Sequence, residues 1–156
     1  MIENLENFLF GNKIRYSLNI KEAQEIKRDL KNSNILITGA AGSIGSIFTK
    51  SLKNYDFKKL YLIDKDENLL TDLARLVNLE FKYKIKKIIF ICSDINTLNL
   101  NKFLKINSIT HYLNFAALKH VRSEENFNSC MYMYNTNCIY PFKIGNLSKL
   151  KKLKKI

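Results

Sequence analysis

Ile35-Leu36-Ile37-Thr38-Gly39-Ala40-Ala41-Gly42-Ser43-Ile44-Gly45 is the segment that determines how this chain folds. Its first three residues form an apolar run without polar alternation, which is typical of a strand buried on both faces of a sheet. Three glycines follow in a Gly-x-x-Gly-x-x-Gly spacing, and apolar residues then recur at helical spacing up to about Asn54. A strand, a glycine turn and a helix in this order predict the opening unit of a parallel α/β sheet.

The rest of the chain repeats this alternation of apolar runs and helical segments. We predict further strands at residues 60–63, 88–91 and 109–115, with helices at about 69–77 and 98–104 between them. A helical segment from about 123 to 147 follows, and Pro141 inside it predicts a break near residues 138–140. The alternation predicts an α/β fold, a Rossmann-like doubly wound parallel sheet.

The first 33 residues differ from the others and are predicted to form an N-terminal arm and one helix. Leu5, Phe8 and Leu9 belong to the arm, and apolar residues recur at helical spacing between Ile20 and Leu30. Residues 34–156 are the predicted Rossmann domain. We expect this domain to be incomplete, because the sequence reaches its last residue where a fifth strand would be starting.

The net charge of +12 is concentrated in two lysine clusters. One is the C-terminal tail, and the other comprises Lys82, Lys84, Lys86 and Lys87. Charge alone indicates solubility and non-specific attraction, so nucleic acid is not the predicted partner. No stretch approaches the ~18 apolar residues of a membrane span, and the first ten residues lack the layout of a secretory signal. We therefore expect a cytoplasmic protein.

The cysteines do not indicate a metal site. Cys92, Cys130 and Cys138 show no Cys-x-x-Cys spacing, and the two histidines are too few to complete a zinc site. We expect three reduced and mostly buried thiols.

The three glycines predict an anion-binding turn. Gly39, Gly42 and Gly45 allow a tight turn and a close approach to a pyrophosphate, and the N-terminus of the following helix offers free N–H groups. The spacing differs from the Gly-x-Gly-x-x-Gly of the common dinucleotide fingerprint. A turn that only allows tight helix packing is the alternative interpretation.

Acidic and small residues follow the other predicted strands. Asp64 can accept hydrogen bonds from a ribose 2′-hydroxyl, which favours NAD, whereas the adjacent Lys65 can pair with the 2′-phosphate of NADP. Asp64 can also cap the next helix. Asp94 follows the third strand, where an adenine would lie or where a helix cap would be needed. Small residues at 116 and 117 follow the fourth strand and permit close backbone approach.

Several of these segments together carry a family resemblance. The chain resembles the extended short-chain dehydrogenase/reductases of the polysaccharide-biosynthesis (CapD-like) family at Thr38–Gly45, Asp64, Ser93-Asp94-Ile95, Ala116–Val121, Glu125-Asn126 and Thr136-Asn137. The string Ala-Ala-Leu-Lys-His-Val at 116–121 is the most specific of them. The resemblance covers nearly the whole chain. It implies a nucleotide-sugar 4,6-dehydratase or epimerase that uses NAD or NADP and acts on a UDP-N-acetylglucosamine-like sugar.

The resemblance also implies roles for individual residues. The pyrophosphate would be lined by Gly39, Ala41, Gly42, Ser43, Ile44 and Gly45. The adenosine would be bound at its ribose by Asp64 and Lys65 and at its adenine by Asp94 and Ile95. The nicotinamide half would lie near Ala116, Ala117 and Lys119, with Asn137 as a supporting residue. Lys119 and His120 would face the sugar nucleotide, although His120 has an equally good interpretation as a loop-fixing residue.

The sequence departs from the family at the catalytic groups. In the family a Tyr-x-x-x-Lys pair follows the fifth strand, and the spacing of Tyr140 and Lys143 does not match it. No general acid or base is assigned, so we expect this chain to bind a dinucleotide without turnover. The alternative is a non-catalytic dinucleotide-binding or interaction module whose tail, Lys149–Ile156, contacts an acidic partner or a membrane surface. A UDP-sugar is the expected ligand of the full-length family, and a homo-oligomer is compatible with the sequence.

Overall fold

A four-stranded parallel sheet forms the centre of the molecule. The computed structural model describes residues 19–119 and 126–150. The strands are β1 (Asn34–Thr38), β2 (Lys59–Asp64), β3 (Ile88–Cys92) and β4 (His111–Asn114), in the order β3-β2-β1-β4. The chain moves from β1 outward to β3 and then returns to the other side of β1. The carboxyl ends of β1 and β4 therefore form the switch point where ligands bind in open α/β sheets.

Helices cover both faces of this sheet. They are α1 (Ile20–Leu30), α2 (Ser43–Ser51), α3 (Glu67–Glu80), α4 (Leu100–Ile106), α5 (Phe127–Tyr134) and α6 (Tyr140–Leu150). Short 3₁₀ turns at Leu52–Asn54 and Lys82–Lys87 precede β2 and β3. The predicted Rossmann-like α/β fold is confirmed. Within residues 19–119 and 126–150, every helix is too short or too polar to cross a bilayer.

Two apolar layers hold the helices to the sheet. All five residues of β1 are buried, as the unbroken apolar run predicts. Ile35 and Ile37 pack in a layer that includes Val77 of α3, whereas Leu36 points to the opposite layer with Leu104 of α4 and Ile144 of α6. Successive side chains of β1 thus point to opposite faces of the sheet. Packing on both faces holds β1 at the centre of the sheet.

The predicted break at Pro141 takes another form in the structure. The chain makes a π-type turn at Asn135–Ile139 and then continues as α6, in which Pro141 is the second residue. The π-type turn changes the regular i→i−4 hydrogen bonding just before the proline, which has no N–H to donate and would otherwise break that pattern. The long helix is therefore widened a few residues before the proline and is not ended by it.

The prediction of buried thiols is wrong. Cys92, Cys130 and Cys138 are all free and exposed. Cys92 ends the edge strand β3, and the buried sides of the last helical segments are taken by Thr136 and Tyr140. The predictions for Leu5, Phe8, Leu9, His120 and residues 151–156 lie outside the described residues.

Candidate functional site

The glycine turn lies between β1 and α2 and depends on close backbone packing. Gly39 has a φ of 68°, in the left-handed region that favours glycine. A Cβ at Gly39 would collide with the backbone of Ala116, and one at Gly45 would collide with the carbonyl oxygen of Gly39. Gly42 is the N-cap of α2 and offers no side-chain acceptor to the first N–H groups of the helix. The turn therefore presents backbone donors that an anion can accept.

Asp64 connects the end of β2 to this turn. Its Oδ2 accepts a hydrogen bond from the N–H of Ala41 at 2.9 Å, and its Oδ1 accepts one from the N–H of Asp66 at 3.1 Å. Asp66, not Asp64, is the N-cap of α3, because its carboxylate accepts from the N–H of Leu69 at 3.0 Å. The capping role considered for Asp64 belongs to its neighbour, and the Asp64 carboxylate is held at the carboxyl end of the sheet.

A cluster of three side chains closes the far side of the site. The hydroxyl of Tyr132, on α5, donates to Oδ2 of Asp94 at 2.6 Å. The ammonium of Lys65 lies 4.9 Å from the centre of the Tyr132 ring, a cation–π distance. Burial raises the pKa of the Tyr132 hydroxyl, and the hydrogen bond to Asp94 raises it further. Tyr132 is therefore a neutral donor that orients Asp94.

The loop after β4 is held by two asparagine side chains. Asn114 accepts from the hydroxyl of Thr38 at 2.7 Å and from the N–H of Ala116 at 3.3 Å. Asn137, in the π-type turn, accepts from the N–H of Leu118 at 2.9 Å and donates to the carbonyl oxygen of the same residue at 2.7 Å. The described part of this loop, residues 115–119, is thus held against the body of the domain at Ala116 and at Leu118.

These groups surround a cleft of about 360 Å³ at the carboxyl ends of the strands. The residues predicted for a site that line this cleft are Gly39, Gly42, Asp64, Lys65, Asp94, Ile95, Ala116, Ala117 and Lys119. The predicted residues that do not line it are Ala41, Ser43, Ile44, Gly45 and Asn137. Gly45 and Asn137 contact residues that line the cleft: Gly45 packs against the backbone of Gly39, and Asn137 is hydrogen-bonded to Leu118. The side chain of Ile44 is 68% exposed to solvent. Their roles toward a ligand stay predictions.

Other lining residues were not predicted. They are Asp66, Leu69, Ser93, Phe115, Leu118, Tyr132 and Thr136. Most of them neighbour predicted residues along the chain and could have been included by position. Tyr132 has no such signal, because it reaches Asp94 only when α5 folds back across the end of β3. Thr136 is likewise brought in by the π-type turn, where its hydroxyl accepts from the side chain of Asn96 at 2.9 Å.

The sheet order, the glycine turn and the cleft at the switch point define a Rossmann-like α/β domain. Within that class the chain belongs to the polysaccharide biosynthesis protein family, whose model matches residues 35–155. The predicted family is confirmed. At the level of sequence, no curated protein matches the chain.

Solved structures of nucleotide-sugar enzymes have the same fold. One is a UDP-N-acetylglucosamine 4-epimerase from Methanobrevibacter ruminantium M1 in complex with UDP-N-acetylmuramic acid, with 22% identity and a TM-score of 0.60 over 80% of this chain and 36% of that one. Another is a variant of the UDP-glucuronic acid 4-epimerase from Bacillus cereus, in complex with a fluorinated UDP-sugar and NAD. It has 25% identity and a TM-score of 0.60 over 76% of this chain and 37% of that one.

A putative short-chain dehydrogenase from Escherichia coli CFT073 is also similar, with 22% identity and a TM-score of 0.55 over 74% of this chain and 54% of that one. The chain spans little more than a third of the two epimerase structures, 36% and 37% of their lengths. Activities that need the rest of those proteins are therefore proposals for this chain.

Proposed function

We propose that this chain binds NAD(P) in the cleft, as the dinucleotide-binding portion of a nucleotide-sugar epimerase or 4,6-dehydratase of surface polysaccharide biosynthesis. The observation that carries the proposal is the Asp64 carboxylate bonded to the N–H of Ala41 at 2.9 Å. The carboxylate that would accept from a ribose thus lies beside the start of α2, whose first N–H groups have no side-chain cap. That juxtaposition suits a ribose joined to a pyrophosphate.

The described residues fit a dinucleotide along the length of the cleft. The pyrophosphate would lie at the N-terminus of α2, where a Cβ at Gly39 or Gly45 would prevent the close packing of the turn. The adenosine would lie between Leu69 and Ile95, with the oriented carboxylate of Asp94 beside it. The nicotinamide half would extend toward Ala117, which is exposed in the loop after β4. When bound, the cofactor supplies hydride transfer, and the protein orients it.

NAD is the favoured cofactor of the two. A 2′-phosphate would approach the carboxylate of Asp64, a like-charge contact that costs binding free energy. Lys65 would have to leave the Tyr132 ring, 4.9 Å away, to compensate that charge. Because the acidic side chain is fixed by two backbone N–H groups, it cannot turn away without leaving them unsatisfied.

We also propose that this chain alone does not turn over a sugar nucleotide. A catalytic tyrosine in a proton-transfer role needs a phenol whose pKa is close to the working pH. The tyrosine that lies beside a lysine in this cleft is Tyr132, and burial followed by the Asp94 hydrogen bond raises its pKa. Tyr132 and Lys65 are therefore better suited to the adenosine end than to acid–base chemistry.

Calorimetric titration of the chain with NAD⁺ and NADP⁺ tests the cofactor proposal. We expect saturable binding of NAD⁺, weaker binding of NADP⁺, and about tenfold weaker NAD⁺ binding in Asp64→Asn, because about 1.4 kcal/mol of charge-assisted hydrogen bonding is lost. Asp72→Asn is the matched control, since Asp72 is an exposed carboxylate paired with Arg75 on α3. A folded chain that binds neither dinucleotide contradicts the proposal, and tighter NADP⁺ binding contradicts the preference.

A further inference from the structure

The edge of the sheet opposite the cleft carries a concentration of positive charge. In a parallel sheet every helix-to-strand connection lies at the amino ends of the strands. Those connections and the residues that border them hold the exposed lysines Lys31, Lys58, Lys59, Lys82, Lys86 and Lys105. We call this set the amino-edge lysines. All four connections contribute to it, so the charge belongs to the whole edge.

Hydrogen bonds bring these connections next to each other. The N–H of Lys58 donates to the carbonyl oxygen of Ser33 at 2.9 Å and joins the connection before β2 to the one before β1. The ammonium of Lys87 donates to the carbonyl oxygen of Phe57 at 3.2 Å, and this bond joins the connection before β3 to the one before β2. The side chain of Asn34 donates to two carbonyl oxygens of the turn before β4, at 2.9 and 3.2 Å. The lysines therefore share one surface.

Two carboxylates at this edge are already neutralised by other lysines, in the pairs Lys53 with Glu80 at 2.9 Å and Lys87 with Asp56 at 3.1 Å. Asp29 lies 3.5 Å from His111 and is the carboxylate that faces this edge without a lysine in an ion pair among the described residues. The hydrogen bond from Lys87 lowers the pKa of Asp56, so that pair stays charged and mutually neutralised. None of the amino-edge lysines forms an ion pair with another residue of the described ranges 19–119 and 126–150.

We propose that the amino-edge lysines dock the protein on a membrane surface rich in anionic phospholipid headgroups. Lysines carry compact and mobile ammonium groups, which suit a diffuse anionic layer, and they outnumber the one exposed arginine that borders this edge, Arg28 in the last turn of α1. Nucleic-acid sites use arginine forks, a helix inserted in a groove or exposed aromatic rings for stacking. At this edge Phe57 and Phe81 are buried, and the lysines lie on connections around the sheet.

The position of the surface gives the docking a geometric consequence. The amino-edge lysines and the cleft lie at opposite ends of the same strands. A protein bound through this edge keeps the cleft open to the aqueous phase. Each lysine close to an anionic surface contributes about a fivefold gain in binding, and salt screens this attraction over about 10 Å.

Vesicle co-sedimentation of the full chain at about 0.1 M salt tests the proposal. The vesicles contain phosphatidylcholine alone or phosphatidylcholine with about 30% phosphatidylglycerol. The test variant combines Lys58→Gln, Lys59→Gln and Lys86→Gln. The control variant combines three exposed lysines elsewhere, Lys21→Gln, Lys102→Gln and Lys143→Gln, and so has the same net charge. All six substitutions are at exposed positions, and thermal unfolding verifies that both variants fold.

We expect the unchanged chain and the control variant to bind the anionic vesicles, and the test variant to bind about 100-fold more weakly. NAD⁺ binding of the test variant stays unchanged, which separates this proposal from the cofactor site. The proposal is overturned by absence of binding to anionic vesicles, by equal losses in the two variants, or by full retention in the test variant. Tighter binding of a DNA duplex with the same lysine dependence would assign the surface to nucleic acid instead.

Discussion

At the scale of single residues, the side chains around the cleft act mainly on backbone groups of the loops. Asp64 accepts from the N–H of Ala41, and Asn137 holds both backbone groups of Leu118. A hydrogen bond of this kind contributes about 0.5–1.5 kcal/mol, so each of these contacts restrains the loop segment that it holds. The walls of the cleft are consequently ordered by the fold itself.

Asn137→Ala tests this restraint directly. The substitution removes both hydrogen bonds to Leu118, at 2.9 and 2.7 Å, and keeps the contacts of Asn114 with Ala116 and of Thr38 with Phe115 at the start of the loop after β4. We expect hydrogen exchange of the Leu118 amide to accelerate at least about tenfold, because about 1.4 kcal/mol of protection is lost. Asn146→Ala, at an exposed position of α6, is the control. Unchanged exchange at Leu118 would show that the loop does not depend on Asn137.

The buried tyrosines Tyr112 and Tyr140 should make the free energy of unfolding decrease at alkaline pH. The hydroxyl of Tyr112 lies 2.9 Å from Oγ1 of Thr38 and donates to the hydroxyl of Tyr140 at 3.1 Å. Burial raises the pKa of both phenols above its ordinary value. Since the folded pKa is the higher one, the stabilisation is complete below the unfolded pKa of about 10 and is lost as the pH rises through the folded value.

Urea unfolding on both sides of about pH 10 measures this effect. Tyr112→Phe should lower the free energy of unfolding by about 1 kcal/mol at neutral pH, since the buried hydroxyl of Tyr140 loses its donor. Above that pH its stability should fall less steeply than that of the unchanged chain, because one buried phenol no longer titrates. Tyr134→Phe, at an exposed position of α5, should follow the unchanged chain. Parallel slopes for Tyr112→Phe and the unchanged chain would refute this assignment.

At the scale of elements, the sequence predicts what depends on local apolar patterns. All of β1 and residues 60–63 of β2 are buried, so their apolar runs identify these two strands. The fourth strand is shorter than its apolar run predicts, because Ile109 and Phe115 pack beside the strand without joining its ladder. The π-type turn and the Tyr132 contact have no local pattern. They arise from how α5 and α6 pack on the finished sheet.

A pair of glycine substitutions separates element packing from helix propensity. Gly45 in α2 meets the Gly39 carbonyl oxygen, and a Cβ there would force α2 away from the turn. Gly45→Ala should therefore lower the free energy of unfolding by more than about 2 kcal/mol. Gly145 in α6 has nothing within 4 Å of its Cβ position, so Gly145→Ala should raise stability by about 0.5–1 kcal/mol. Denaturant unfolding of both variants is the measurement, and similar effects at the two positions would contradict the packing argument.

At the scale of the whole molecule, the parallel sheet separates two surfaces of different chemistry. The cleft lies at the carboxyl ends of the strands, where it is lined by the carboxylates of Asp64 and Asp94 and by the glycine turn. The amino ends carry the six amino-edge lysines, which form no ion pair with a residue of the ranges 19–119 and 126–150. This polarity follows from the topology, because every strand runs in the same direction and each kind of connection collects at one end.

A ligand in the proposed cofactor site would join β1, β2, β3 and β4 at their carboxyl ends, so its binding should stabilise the whole domain. At about 100 times its Kd, a ligand adds about 2.7 kcal/mol, which corresponds to about 5–10 °C in Tm for a domain of this size. In the proposed mode of binding, the uncapped start of α2 and the carboxylates of Asp64 and Asp94 would contact the pyrophosphate and the adenosine. We therefore expect ADP-ribose to raise the Tm nearly as much as NAD⁺, and nicotinamide mononucleotide to raise it little. A larger shift with the mononucleotide than with ADP-ribose would place the ordered half of the site at the nicotinamide, against the geometry of Asp64 and Asp94.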